Sequence, residues 1–161
     1  MGSCLGPSYA CLFMSYQEHL IFRSYQGVFP DLYRRYIDDG IGAASLERDE
    51  LLQFINYVCN FNPAIQYTYE ISELTINFLD ILLRADGNSI ATTIYTKPTD
   101  SHSYLQYGSS HPVRCKDSIP FSQLLRLRRI CSSDFDFREK AGEFCSYFKS
   151  EVTLIQLLVQ L

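Results

Sequence analysis

A chain of 161 residues with 47% hydrophobic and 14% aromatic side chains can bury a core, which excludes wholesale disorder. The length fits one domain, or one domain with a small helical addition. A formal net charge of −4 excludes a strongly basic nucleic-acid binder overall. The charge is nevertheless uneven: residues 1–100 hold 6 basic and 12 acidic side chains, and residues 101–161 hold 8 and 6. Within 112–131, Arg114, Lys116, Arg126, Arg128 and Arg129 stand against Asp117 alone. Six cysteines, at 4, 11, 59, 115, 131 and 145, form no C-x-x-C pair and no metal-ligand spacing. They read as free thiols in a reducing compartment. The N-terminus has no basic n-region before an apolar stretch, so no signal peptide is expected. Met1-Gly2-Ser3-Cys4 departs from the acylation pattern at Gly6. The closing Val152–Leu161 run is too short to span a bilayer, and no membrane partner is expected.

In chain order, Pro7 suits the first turn of a helix running from about Ser8 to Phe22. Ala10, Phe13, Met14, Gln17 and Leu20 mark its apolar face. After a loop at Ser24–Pro30, the alternating Leu32–Ile37 stretch runs into Asp38-Asp39-Gly40 and out through Ile41–Ala44, a hairpin pattern. Ser45 is placed to cap a second helix, with Glu47, Asp49 and Glu50 where its dipole favours acids. Leu51, Leu52, Ile55, Val58 and Cys59 form its buried stripe, and Asn60–Pro63 ends it.

Ile65–Ile71 alternates apolar and polar residues and predicts a half-buried strand; Ile76–Leu83 predicts a second, covered on both faces. The 32–44 hairpin is expected to pack on these two strands. Asp86-Gly87-Asn88 then turns the chain into a third strand at Ser89–Tyr95. Beyond Lys97-Pro98 the β character stops. A loop over 101–118 leads to a helix opening at Ser118 or Pro120 and running to about Ile130, and a last helix covers Phe137–Phe148. The expected fold class is therefore α+β: antiparallel strands with helices, followed by a small helical region.

The Asp38-Asp39-Gly40 turn has two readings. Asp and Gly are ordinary turn residues. Adjacent carboxylates on an exposed turn also suit Mg²⁺, a hard cation that prefers carboxylate oxygens, and the two-metal clamp of phosphoryl transfer. Asp80 reads equally as a strand-edge acid. His102 and His111 lack partner ligands at fixed spacing and read as loop histidines. Arg126, Arg128 and Arg129 are either a solvated face or phosphate contacts, since local positive charge is what nucleic-acid backbones reward. No run of five or more basic residues gives a nuclear address.

Taken in order, several motifs resemble the C-terminal half of a reverse-transcriptase palm running into a thumb, and most closely the Penelope-like retroelement reverse transcriptases. Met1–Ala10 is similar to the family's Gly-rich loop and helix, and Tyr36-Ile37-Asp38-Asp39 to its metal-binding hairpin. Phe78-Leu79-Asp80 resembles the stretch near the primer grip. Tyr95–Asp100, Ser110-His111-Pro112, Ile119–Gln123 and Leu125–Cys131 resemble its thumb-side segment, carried in related animal sequences as a helix-turn-helix-like module. The resemblance implies a partial palm at 1–96, a thumb-like helical region at 97–148 and a divergent tail at 149–161. It implies RNA-directed DNA polymerase ancestry, with Asp38 and Asp39 as catalytic and Mg²⁺-binding residues. Gly6, Pro7, Tyr36, Phe78, Leu79, Arg126, Arg128 and Arg129 would contact nucleic acid, an RNA template and DNA primer in the intact family. Such polymerases use a further Asp on an earlier palm strand, and fingers that close on the nucleotide. The sequence supplies neither, so the chain alone is expected to be inactive and to bind nucleic acid weakly at most. The alternative is a non-catalytic helix-turn-helix-like module binding nucleic acid or protein.

Overall fold

The computed structural model describes residues 4–87, 89–100, 105 and 108–149. Among them the fold is α+β, in the order α1 (Gly6–Ser24), β1 (Leu32–Tyr36), β2 (Asp39–Ala43), α2 (Arg48–Phe61), β3 (Thr75–Phe78), β4 (Ile81–Asp86), β5 (Ser89–Ile94), α3 (Val113–Ile130) and α4 (Asp134–Lys149). The chain divides into two compact units, Met1–Glu70 and Ile71–Leu161. This division follows packing, whereas the 96/97 boundary above follows motif resemblance. None of the described helices is long and apolar enough to cross a membrane.

In the first unit, Pro7 sits in the opening turn of α1 as its missing N–H allows. The helix turns Met14, Gln17 and Leu20 of its expected face inward, but that face is rotated to take in Cys11, Glu18 and Ile21 and to leave out Ala10 and Phe13. Gln17 and Ile21 are buried and Cys11, Met14 and Glu18 half-buried, while Ala10 and Phe13 are exposed. The inward polar residues are satisfied: the Gln17 side-chain carbonyl accepts from Asn62 Nδ2 at 3.2 Å, and Glu18 accepts from the hairpin. Polar groups turned inward are stable when so paired.

Helix α2 begins at Arg48 with Glu47 as its cap position, so Ser45 is not its cap; the Ser45 N–H donates to Asp31 Oδ2 instead. Asp49 and Glu50 occupy its first turn, as the dipole favours. Phe54 is its deepest residue. It lies in an aromatic cluster, 6.3 Å from Phe22, 5.2 Å from Tyr25 and 6.1 Å from Phe29 between ring centroids. Edge and offset pairs of this kind add about 0.5–1.5 kcal/mol each beyond their buried area.

β1 and β2 form a two-stranded antiparallel sheet of their own, registered Leu32↔Ala43 to Tyr36↔Asp39. The alternation at Ile65–Ile71 does not form a strand. The segment runs without a ladder partner, so it does not pair with the hairpin as a sheet. Ile65 and Tyr67 are half-buried and Gln66 and Thr68 exposed, so a period of two in burial arises here without strand pairing.

In the second unit the predicted 76–83 strand is two strands. The chain reverses at Leu79-Asp80, and Phe78 pairs with Ile81. Leu79 takes φ 55°, a conformation that costs an L-residue roughly 1–2 kcal/mol. β5 returns along β4 after the expected turn at Asp86-Gly87, where Gly87 has φ 57°; Asn88 lies outside the described residues. The order is β3-β4-β5.

α3 starts at Val113 after Pro112, five residues before Ser118, and contains Pro120 in its interior. A proline there forgoes one backbone hydrogen bond. α4 starts at Asp134, where Ser133 Oγ accepts from the Asp136 N–H at 3.0 Å and donates to the Asp136 carboxylate at 2.9 Å, a reciprocal cap. The core of this unit is Ile94, Leu127, Cys131 and Phe144, with Leu124, Ile130, Phe137 and Phe148 against it. The three-residue turn between the helices is bonded to β5. Thr92 donates from its N–H to Ser132 Oγ (2.9 Å) and from its hydroxyl to the Ile130 carbonyl (2.6 Å), and the Ser132 N–H returns to the Thr92 carbonyl (2.9 Å). An open strand edge is thereby satisfied and the helix pair fixed on the sheet. All six cysteines are free.

Candidate nucleic-acid interface and acidic hairpin

Asp38 is the second residue of the β1–β2 turn and Asp39 the first of β2, opposite Tyr36; all three are exposed. Ile37, the first turn residue, has φ 55°. A positive φ at that position alone is the sign pattern of a type II′ turn, where glycine is usual, so a β-branched residue there is strained.

A compact network holds this turn. Arg35 Nε donates to Glu18 Oε1 at 2.5 Å and its NH2 to Glu18 Oε2 at 3.2 Å, a two-pronged pairing. The same guanidinium donates to the Ile37 carbonyl at 2.8 Å, to Ser15 Oγ at 3.0 Å and to the Cys11 carbonyl at 3.5 Å. Tyr33 donates its hydroxyl to Glu18 Oε1 at 2.8 Å. The Arg35 and Glu18 side chains are only 11% and 18% exposed. Burial, then the hydrogen bond to Glu18, pushes the Tyr33 phenol far above its ordinary range. Tyr67 is raised chiefly by burial, with the Glu18 charge adding to it, and the hydrogen bond to Glu18 raises the Arg35 guanidinium further. One carboxylate on α1 thus anchors both arms of β1's inward side and, through Arg35, the turn carrying the two aspartates. Glu18, Tyr33 and Arg35 did not stand out in the sequence as site residues. The available signal was an acid four residues after Met14, in phase with the helix's apolar face, and an arginine in phase with Tyr33 on an alternating strand.

Gly6 and Pro7 are exposed in the first turn of α1. In the second unit, Phe78 is the half-buried last residue of β3, and Leu79 is exposed in the turn that follows. Among the described residues no three His, Cys, Asp or Glu side chains gather to hold a metal ion. His111 shares a hydrogen bond with Ser109 Oγ at 3.2 Å; His102 lies outside the described residues.

The three arginines of α3 differ in what they touch. Arg126 pairs with Asp80 at the β3–β4 turn. Arg128 pairs with Asp134 at 2.6 Å and lies 5.3 Å from the Phe137 ring centroid, a cation–π contact. Arg129 is exposed, and among the described residues it has no ion-pair or hydrogen-bond partner; the same holds for Arg114 near the start of the helix.

Residues 103–150 match the family model of the animal helix-turn-helix domain. The matched stretch contains α3, its three-residue turn and α4. The match does not extend to the Asp38-Asp39 hairpin. No curated protein and no solved structure matches the chain.

Proposed function

We propose that the 103–150 region is a helix-turn-helix module that binds nucleic acid weakly, through phosphates and without sequence preference. The observation that carries this reading is α3 itself, with five cations against one anion in an otherwise acidic chain, inside the segment similar to the animal helix-turn-helix domain. Phosphate contacts release condensed counterions, so such binding falls steeply with salt. Titration of the full chain against labelled oligonucleotides at several ionic strengths tests it; absence of binding at low salt would overturn it.

The acidic hairpin favours a second, wider reading: that the chain derives from an RNA-directed DNA polymerase of the Penelope-like type, without catalysing polymerisation alone. Two successive exposed carboxylates, Asp38 in the turn and Asp39 opening β2, fit part of a Mg²⁺ ligand set, because that ion is commonly bound through one or two carboxylates plus substrate phosphates. Asp38 and Asp39 would hold it. When bound, the ion offsets charge on a phosphoryl group during transfer. The chain's own part is positioning: Glu18 fixes Arg35, Arg35 holds the Ile37 carbonyl, and the turn keeps both carboxylates outward. With no further carboxylate gathered among the described residues, transition-state charge would be incompletely offset. Template-directed dNTP incorporation by the purified chain, lost in Asp38→Asn, would overturn the inactivity.

A further inference from the structure

We infer that the nucleic-acid-contacting helix of this pair is the first, α3, and that its outward face takes single-stranded nucleic acid. This rests on the module binding nucleic acid as proposed above. In DNA-binding helix-turn-helix proteins the second helix enters the major groove, its N-terminal residues against the base edges. Here the second helix is unsuited to that position. α4 carries Asp134, Asp136, Glu139 and Glu143 against Arg138, Lys140 and Lys149, and two of those acids lie in its first turn. They favour the helix dipole there and would meet phosphates with like charge. Both are also engaged within the unit: Asp134 by Arg128, and Asp136 by Ser133 and by Arg84 at 3.7 Å.

α3 presents the opposite arrangement. Its buried stripe runs through Leu124, Leu127 and Ile130, toward Ile94 and Phe144. On the other side, Arg114, Phe121, Leu125 and Arg129 follow at intervals of seven, four and four residues, which at 3.6 residues per turn keeps them on one face. Phe121 is 64% exposed and Leu125 40%, and the two arginines flanking them are exposed and uncommitted among the described residues. From Arg114 to Arg129 the stripe is about 22 Å long at a rise of 1.5 Å per residue. An exposed aromatic ring and an aliphatic neighbour between two free guanidinium groups match what a single strand offers: an unpaired base face to stack, and phosphates on either side. A duplex would engage the arginines but leave Phe121 in water, because its base faces are already stacked. The acidic remainder of the chain confines the contact to this face.

The test uses the full chain and fluorescence anisotropy with a labelled oligo(dT), an oligo(U) and a mixed-sequence duplex. Single strands are expected to bind more tightly than the duplex. Phe121→Ala should weaken single-strand binding about five- to a hundredfold. Arg114→Gln with Arg129→Gln should flatten the slope of log affinity against log salt by about 1.4, two contacts at about 0.7 each for single strands. Arg138→Gln with Lys140→Gln on α4 should change neither. All of these side chains except Lys140 are exposed, and circular dichroism melts that match the parent show that the variants fold. Tighter duplex binding that the α4 variant weakens overturns this assignment and leaves the nucleic-acid reading intact. Unchanged affinity in Phe121→Ala also overturns it. No binding to any of the three probes at low salt overturns both.

Discussion

Glu18→Gln removes one charge and probes what holds the acidic hairpin to α1. The carboxylate receives three hydrogen bonds, two from Arg35 and one from Tyr33. Glutamine keeps the size but presents one acceptor oxygen in place of two, and leaves the Arg35 guanidinium, 11% exposed, without its counter-charge. Losing one partner of a buried ion pair costs about 3–5 kcal/mol. Because both side chains keep some exposure, about 3 kcal/mol, at the lower end of that range, is the expected loss. The first unit has 70 residues, for which about 3 kcal/mol corresponds to roughly 12–24 °C in melting temperature. Amide hydrogen exchange across β1 and β2, read with a thermal melt, reports the effect on the hairpin itself. A cycle of Glu18→Gln, Arg35→Gln and the double variant separates the pair from its neighbours. If Glu18→Gln leaves both the melt and the exchange of the Arg35 and Gly40 amides unchanged, the ion pair does not fasten the turn. Positioning of Asp38 and Asp39 by Arg35 then falls with it.

Three further outcomes are expected. Ile37→Gly should stabilise the hairpin by about 1 kcal/mol in urea unfolding, because glycine adopts without strain the positive φ that strains isoleucine there. Leu127→Ala, at a fully buried position, should cost the second unit about 2–5 kcal/mol and shift its near-ultraviolet dichroism melt to lower temperature. The first unit should lose stability as pH rises past the ordinary tyrosine value of 10. The folded state keeps Tyr33 and Tyr67 protonated while the unfolded chain ionises them, so the native state binds more protons and the slope is negative. Their contribution is intact below pH 10, and a 295 nm titration of the folded chain should show two phenols ionising late, a feature that Tyr33→Phe and Tyr67→Phe remove in turn.

Much of the secondary structure follows from local chemistry. Pro7 at the start of α1, the acids opening α2, the Asp-Gly turn between β4 and β5 and the β1–β2 hairpin were each legible in the sequence, because propensity and turn chemistry act over a few residues. The helix pair was legible too, but its first boundary was misplaced. Pro120 reads as a helix start, yet α3 accommodates it inside, where packing of Leu124, Leu127 and Ile130 offsets the missing hydrogen bond. Alternation at Ile65–Ile71 predicted a strand that does not form, because a strand exists only where another backbone pairs with it.

The apolar run at 76–83 hides a reversal for a related reason. Leu79, which takes the positive φ, is not a residue that composition would name for a turn, and Asp80 alone does not break the apolar run; the ladder from β3 to β4 is what bends the chain there. At the candidate sites, the residue types were visible and their availability was not. The sequence alone sets the local excess of arginine in α3 and the paired carboxylates at 38 and 39. Only the tertiary structure decides that Arg126 and Arg128 are spent on Asp80 and Asp134, partners 46 and 6 residues away, while Arg129 remains open. It likewise decides that Glu18 reaches across 17 residues to Arg35. Charge is a property of composition, but whether a charge is free to meet a ligand depends on which distant side chain folding has already brought against it.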